Sequence, residues 1–264
     1  MVIDFHTHAF PDALAPRALK ALLESTNAIF PPVTDATVSG LTRYMDKCGV
    51  AVSVLLPVIT KPTQLVKTNE WAASEASARI VPFGGIYPHT DDYKRDIDFV
   101  VSLGLKGLKF HAEYQDFVLD DPHMLRVYDY ALSRGLILLH HAGYDPAYPP
   151  PYKSDPKRFA AVADAMRGGV IIAAHLGGRY GWDDAERDLA GRDVYFDTSM
   201  GFDAVPPEQF LRLVRAHGAE RFLFATDSPW SAADEELARL RALPLPEADK
   251  EKIFSGNAKR ILGM

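Results

Sequence analysis

The chain is punctuated by short apolar stretches, each closed by Gly, Pro or Asp. In order they are "VIDFHTH", "AVSVLLPV", "IVPFGGIYP", "GLKGLKFH", "GLILLHHAG", "GVIIAAHLGG", "DVYFDTS" and "RFLFATDSPW". Short runs rich in Val, Ile and Phe between turn formers read as strands. Several are almost continuously apolar rather than alternating, the pattern of parallel strands covered on both faces. Between them lie segments with apolar positions at helical spacing, among them "VSGLTRYMDKCG", "PTQLVKTNEWAASEASAR", "DPHMLRVYDYALSRG" and "PPEQFLRLVRAHGAE". Asp121-Pro122, Asp155-Pro156 and Pro206-Pro207 stand at helix starts, and Gly104, Gly135, Gly168 and Gly218 at helix ends.

Eight strands alternating with helices require parallel pairing through right-handed crossovers, and eight is the number at which such a sheet closes. The pattern predicts an α/β chain, a single (β/α)8 TIM-barrel domain over residues 1–264. An open doubly wound sheet is the alternative that the strand count disfavours. "FPDALAPRALKALLEST" predicts an extra helix after the first strand, and "DEELARLRAL" and "PEADKEKIFSGNAKRILG" predict closing helices at the C-terminus. "YDPAYPPPYKS", after the fifth strand, reads as an ordered functional loop.

Composition narrows the classes. Hydrophobic residues make up 47% and charged residues 24%, enough to fill a core and unlike a disordered chain. A net charge of −6 and the lack of a long Lys/Arg cluster predict neither nucleic acid nor anionic membrane as partner. A small-molecule substrate is expected instead, with a homodimer left open. The one cysteine, Cys48, forbids an intrachain disulfide and a thiolate metal cluster, so any metal would take N and O ligands. The chain starts on a strand-like segment and lacks any run of about 18 apolar residues, from which a cytoplasmic location is expected.

The candidate chemistry lies where the strands end. In strict alternation Asp4, His6 and His8 share one face of the first strand. The fourth strand ends in Lys109 and His111, the fifth in His140-His141, the sixth in His175 followed by Arg179, and the eighth in Asp227-Ser228-Pro229-Trp230. A lone histidine at a strand end is ordinarily satisfied by backbone or water. Most of the nine histidines at strand ends is another matter, because a barrel aims its carboxyl ends at one mouth. His6, His8, His141 and Asp227 make three N ligands and one O, a set suited to Zn2+ with room for water.

Roles follow for the neighbours. Asp227 is the candidate base as well as a ligand, and His175 a second proton carrier. His140 and His141 must face opposite ways, and the position before Ala142-Gly143 favours His141 for the site. Asp4 is expected to brace a ligand, and Asp197 either to orient a loop or to take part in the site. Lys109 could bind a substrate carboxylate, become carbamylated and bridge a second metal, or snorkel. Lys109 and Arg179 suit an anionic substrate, with His111 and Trp230 as further substrate contacts. Tyr144, Tyr148 and Trp182 are candidate pocket walls. His89, His123 and His217, in loops or helices, are expected to be structural.

The motifs "DFHTH", "LLHHAG", "AHLGG" and "ATDSPW", in register on a barrel pattern, resemble the amidohydrolase superfamily. They are most similar to its amidohydrolase-related (amidohydrolase 2) branch, which contains the aminocarboxymuconate semialdehyde decarboxylase type and metal-dependent TIM-barrel hydrolases. The resemblance implies one divalent ion, zinc favoured, on His6, His8, His141 and Asp227, with His175 as catalytic histidine. It leaves a second metal through a carbamylated Lys109 open but not favoured. Hydrolases, decarboxylases and hydratases share this scaffold. The first expectation is hydrolysis of a C–N or C–O bond in a small anionic molecule, a cyclic amide or lactone, by metal-activated water. The alternative is nonoxidative decarboxylation of an unsaturated or aromatic acid, and the third a non-catalytic barrel with a structural metal.

Overall fold

The computed structural model describes residues 1–264 and shows a (β/α)8 barrel. Its strands are β1 (Ile3–Thr7), β2 (Val52–Leu55), β3 (Ile80–Pro82), β4 (Gly107–Phe110), β5 (Ile137–His140), β6 (Ile171–Ala173), β7 (Tyr195–Asp197) and β8 (Phe222–Leu223). All neighbouring pairs are parallel, in chain order within β1–β3 and β4–β8. Two seams close the ring. Between β3 and β4, Gly84 N donates to Gly107 O at 2.8 Å and Lys109 N to Gly84 O at 3.0 Å. Between β8 and β1, Phe5 N donates to Phe224 O at 2.9 Å and Asp227 N to His6 O at 2.8 Å. The run after Leu223 therefore stays extended beside β1, although the regular ladder of β8 covers only two residues.

Alternate residues of the strands enter separate cores, as a sheet closed on itself requires. Phe5, Val54, Phe83, Leu139, Ile172 and Leu223 pack with one another inside the barrel. Leu108, Phe110, Leu138, Ala173, Phe196 and Phe222 pack outward against the helices. The near-continuous apolar runs of the sequence thus serve two layers.

The helices start where the sequence places them. The Asp121 side chain accepts from His123 N at 2.7 Å to begin α5 (Pro122–Ser133), and Asp155 accepts from Arg158 N at 3.0 Å to begin α6 (Pro156–Ala165). Each carboxylate satisfies an amide that the first turn leaves free. The extra helix after the first strand is α1 (Ala15–Ser25), and α2 (Val38–Cys48) is the crossover to β2. The closing helices at the C-terminus include α9 (Ala233–Ala242) and α11 (Asn257–Leu262), the latter anchored by Asn257 Nδ2, which donates to Ala219 O and Phe222 O, both at 2.8 Å. No helix is long and apolar enough to cross a membrane.

The structure departs from strict alternation in β1. Between Asp4 and Thr7 three steps of β1 oppose two of β2, a bulge that inserts one residue. Asp4 consequently leaves the face it was expected to share with His6 and His8. It accepts from Thr226 N at 3.0 Å and Thr226 Oγ1 at 2.6 Å, tying β1 to the chain just before Asp227.

Candidate active site

Separate strands deliver the candidates to one end of the barrel: His6 and His8 from β1, Lys109 and His111 from β4, His141 from β5, His175 from β6, Asp197 from β7 and Asp227 from beyond β8. Hydrogen bonding fixes the tautomers of the first two. His6 Nδ1 lies 2.8 Å from Asp197 Oδ2, and His8 Nδ1 2.7 Å from Leu56 O. A carboxylate and a carbonyl only accept, so both Nδ1 atoms donate and both Nε2 atoms keep a lone pair.

Those two Nε2 atoms stand 3.1 Å apart. Asp227 Oδ1 completes the triangle, 3.4 Å from His6 Nε2 and 3.0 Å from His8 Nε2. Three acceptors facing one another without a proton between them repel. The Lys109 ammonium, 2.9 Å from His6 Nε2, relieves this only in part. A divalent cation would satisfy all three, and the Asp197 carboxylate behind His6 is the usual support of a metal-binding imidazole.

His175 continues the wall. Its Nδ1 lies 3.0 Å from Ser199 O, so its Nε2 also carries a lone pair, and that atom is 3.0 Å from His141 Nδ1. The ligand atoms of His6, His8 and Asp227 lie within 4.8 Å of one another, whereas His141 groups with His111 and Asp145. The expected four-residue set is thus brought together in three of its members. His141 is held beside them because its ring stacks on His111, centroids 4.1 Å apart, while its Nδ1 meets His175.

The adjacent histidines separate as their spacing requires. His141 lines the cavity. His140 turns into the helix layer, stacked on Phe110 and edge-on to Tyr128 and Phe159, with neither ring nitrogen partnered.

The cavity above this cluster has a volume of about 740 Å3. His111, Arg179 and Trp230 reach its wall, as does Tyr144, whereas Tyr148 and Trp182 do not. Trp182 instead donates its indole N–H to His175 O at 3.0 Å from within the helix layer. Arg179 differs from the expected free cation. Its guanidinium is bonded to Asp203 at 2.9 Å and to Met200 O, and it lies against the rings of Phe30 and Tyr180. His89, His123 and His217 each bond a backbone carbonyl, Gln115 O, Pro88 O and Val194 O respectively.

A sequence profile of the amidohydrolase family matches residues 3–264. The chain belongs to the amidohydrolase-2 family. It is therefore an enzyme of that family, with the barrel already described. Solved structures agree in fold, each at an identity that speaks to fold alone. An uncharacterised TIM-barrel protein from Bordetella bronchiseptica shares 18% identity, with 99% of this chain and 98% of that one covered at a TM-score of 0.79. A 5-carboxyvanillate decarboxylase from Novosphingobium aromaticivorans, solved with manganese and a nitrobenzoic acid, shares 14% over 100% and 97%, TM-score 0.74. A probable 2-pyrone-4,6-dicarboxylic acid hydrolase from Acinetobacter baumannii shares 13% over 100% and 99%, TM-score 0.69. No curated protein matches in a sequence comparison.

In this amidohydrolase-2 member, electrostatics reinforce the tautomers. Burial drives the imidazoles of His6 and His111 well below their usual pKa, and the nearby Lys109 charge adds to it. Burial also lowers His141, with His111 and His175 next in effect. Burial alone would raise the Asp227 carboxyl, but positive charge at His6 and His8, the position a cation would share, outweighs it and holds the carboxyl below the usual range. Lys109 is brought down to about 8 by burial, partly offset by Asp227 and Asp197. Neutral nitrogens beside an ionised carboxylate are the protonation states that cation binding needs.

Two site residues carry backbone strain. Asp227 has φ 68° and His175 φ 57°, the left-handed region that costs non-glycine residues about 1 kcal/mol or more. Sequence reasoning missed Asp145, Ser199 and Asp203. Asp145, beside a proline in a Tyr/Pro-rich loop, carries only the signal of a turn, and Asp203 sits in a segment with no motif.

Proposed function

We propose that this enzyme is a metal-dependent nonoxidative decarboxylase of an aromatic or unsaturated carboxylic acid. The observation that carries the reading is the cavity's division of charge. Its base holds the donor trio and the buried Lys109, while one flank of the wall is apolar, with Phe10, Leu14, Leu22, Phe30, Trp71 and Trp230, and another is polar, with His111, Tyr114 and Asp145. Arg179 is paired with Asp203, whereas the buried Lys109 has no carboxylate partner and meets only His6 Nε2, which leaves it donors for a substrate carboxylate. One carboxylate on an apolar, ring-sized body matches that layout. A second carboxylate would meet either hydrocarbon on the apolar flank or the Asp145 carboxylate on the polar one. The decarboxylase similarity among solved structures supports the same choice over hydrolysis.

His6, His8 and Asp227 would hold one divalent ion, Zn2+ or Mn2+ by their N and O donors, with His141 and His175 adjacent. That ion would supply positive charge for the substrate carboxylate. Lys109 binds the same group from the β4 side. The aromatic wall holds the ring and excludes water. As the C–C bond breaks, its electron pair stays on the ring carbon, CO2 leaves, and the carbon takes one proton. His175 would carry it: its Nδ1–H stays anchored on Ser199 O and sets the ring's orientation, so the proton delivered is one first taken up from solvent at Nε2, the atom beside His141 Nδ1.

Purified protein assayed with benzoic and unsaturated acids should release CO2 in proportion to bound divalent ion, without forming a new carboxylate. Asp227→Ala should lose both ion and activity. Ring opening of a lactone or cyclic amide with water uptake, and no CO2 from any acid, would return the reading to hydrolysis.

A further inference from the structure

The wall next to His141 carries a second polar group that the proposed chemistry does not use. Asp145 is buried yet faces the cavity, as do His111 and Tyr114. Its Oδ1 accepts from Ala147 N at 2.8 Å and its Oδ2 faces His111 Nε2 at 3.2 Å. A carboxylate has about four acceptor positions, so Ala147 N, His111 Nε2 and the Tyr114 hydroxyl leave it able to accept one more bond. Behind His111 lies Glu113 at 3.7 Å, already engaged by Ser154 Oγ and Lys153 N. Lys153, whose backbone N–H bonds Glu113, turns its ammonium to Asp116. This wall is therefore rich in acceptors and has no cation of its own.

Its distance from the carboxylate end follows from the strand. His111 directly follows β4, two residues after Lys109, and side chains on one face of an extended chain repeat about every 6.6 Å. That is the span from a carboxyl group to a substituent on the far side of one benzene ring. Tyr114, stacked on His111 with centroids 4.0 Å apart, makes the flank flat.

We propose that Asp145, held by His111 and Ala147, is a specificity subsite for a hydrogen-bond donor, a hydroxyl on the ring carbon remote from the carboxyl group. This deepens the decarboxylase reading and rests on it for the placement of the carboxylate at Lys109. A ring hydroxyl donates to the acceptor position that Ala147, His111 and Tyr114 leave on Asp145. A second carboxylate at the same position is repelled by Asp145 and Glu113, so the wall selects by exclusion as well as by attraction.

Titration calorimetry of the metal-loaded protein with 4-hydroxybenzoate, benzoate and terephthalate tests this, with CO2 release followed separately. Wild type should bind 4-hydroxybenzoate about tenfold or more tighter than benzoate, the value of one hydrogen bond to a charged acceptor. Terephthalate should bind more weakly than benzoate. Asp145→Ala should abolish the preference for the hydroxyl and leave benzoate affinity within about twofold, which also reports an intact pocket. Asp145→Asn, which keeps one acceptor oxygen, should show an intermediate preference and relieve the penalty on terephthalate. Equal affinity for hydroxybenzoate and benzoate in wild type, survival of the preference in Asp145→Ala, or no binding of any of the three overturns the proposal. A preference that depends on Asp145 without any CO2 release would sink the decarboxylase reading and leave the subsite standing; CO2 release without the preference would do the reverse.

Discussion

At the residue scale the site is organised by acceptors that dictate where imidazole protons sit. Asp197 is fully buried and accepts from His6 Nδ1, from His175 N at 2.9 Å and from Ser199 Oγ at 2.5 Å. It fixes the His6 ring directly and the backbone of His175, whose own ring is oriented by Ser199. Asp197→Asn should therefore weaken divalent-ion affinity by about 10–100-fold, because an amide can present its N–H to His6 and turn the wrong nitrogen toward the ion. Equilibrium dialysis with Zn2+ or Mn2+ measures it, and an unchanged affinity would show that Asp197 serves packing alone. The motifs show that histidines and carboxylates meet at strand ends. Which nitrogen of each ring bears the proton depends on Leu56 O, Ser199 O and Asp197, residues from other strands that no local spacing reveals.

At the element scale, close strand contact is bought with small residues. A Cβ on Gly107 would stand 2.4 Å from Ile137 O and 2.5 Å from the Phe83 ring, so β4 can lie between β3 and β5 only without a side chain there. Gly107→Ala should destabilise the fold by about 2 kcal/mol or more, read by chemical denaturation, since backbone cannot move aside as a side-chain tip can. Helix α9 makes a different kind of contact. It buries Glu236, whose Oε1 accepts from Ser231 at 2.9 Å while Oε2 has no partner. Burial pushes this carboxyl up to about 7, with Ser231 and Arg239 only partly opposing it. The folded chain thus keeps a proton that the unfolded chain releases near 4.5, and stability falls as pH rises between about 4.5 and 7. Glu236→Gln should flatten that part of the profile, a difference on the order of 2–3 kcal/mol between pH 4.5 and 8. The same slope in the variant would assign it to another group. Element order and caps were legible because helical and strand periods are local. The bulge in β1 was not, since register is set by the partner strand β2.

At the scale of the whole molecule, the donor trio sits on the β1–β8 seam where the barrel closes. An ion bound there links the first strand to the last, so its binding free energy adds to the stability of closure. Removal of the ion by a chelator should lower the melting temperature, and re-addition of Zn2+ or Mn2+ should restore it. At a free ion concentration about 100 times the Kd the difference is about 2.7 kcal/mol. A melting temperature indifferent to chelation would mean that the seam closes without help. Alternation of strand and helix, the placement of histidines at strand ends and the candidate ion-binding residues were written in the sequence, because each follows from periodicity within a few residues. Only tertiary structure joined Asp145 to His111, neutralised Arg179 with Asp203, removed Trp182 from the cavity and turned His140 away from it. Those outcomes depend on contacts between segments far apart in the chain, and a barrel decides them only when its ring is closed.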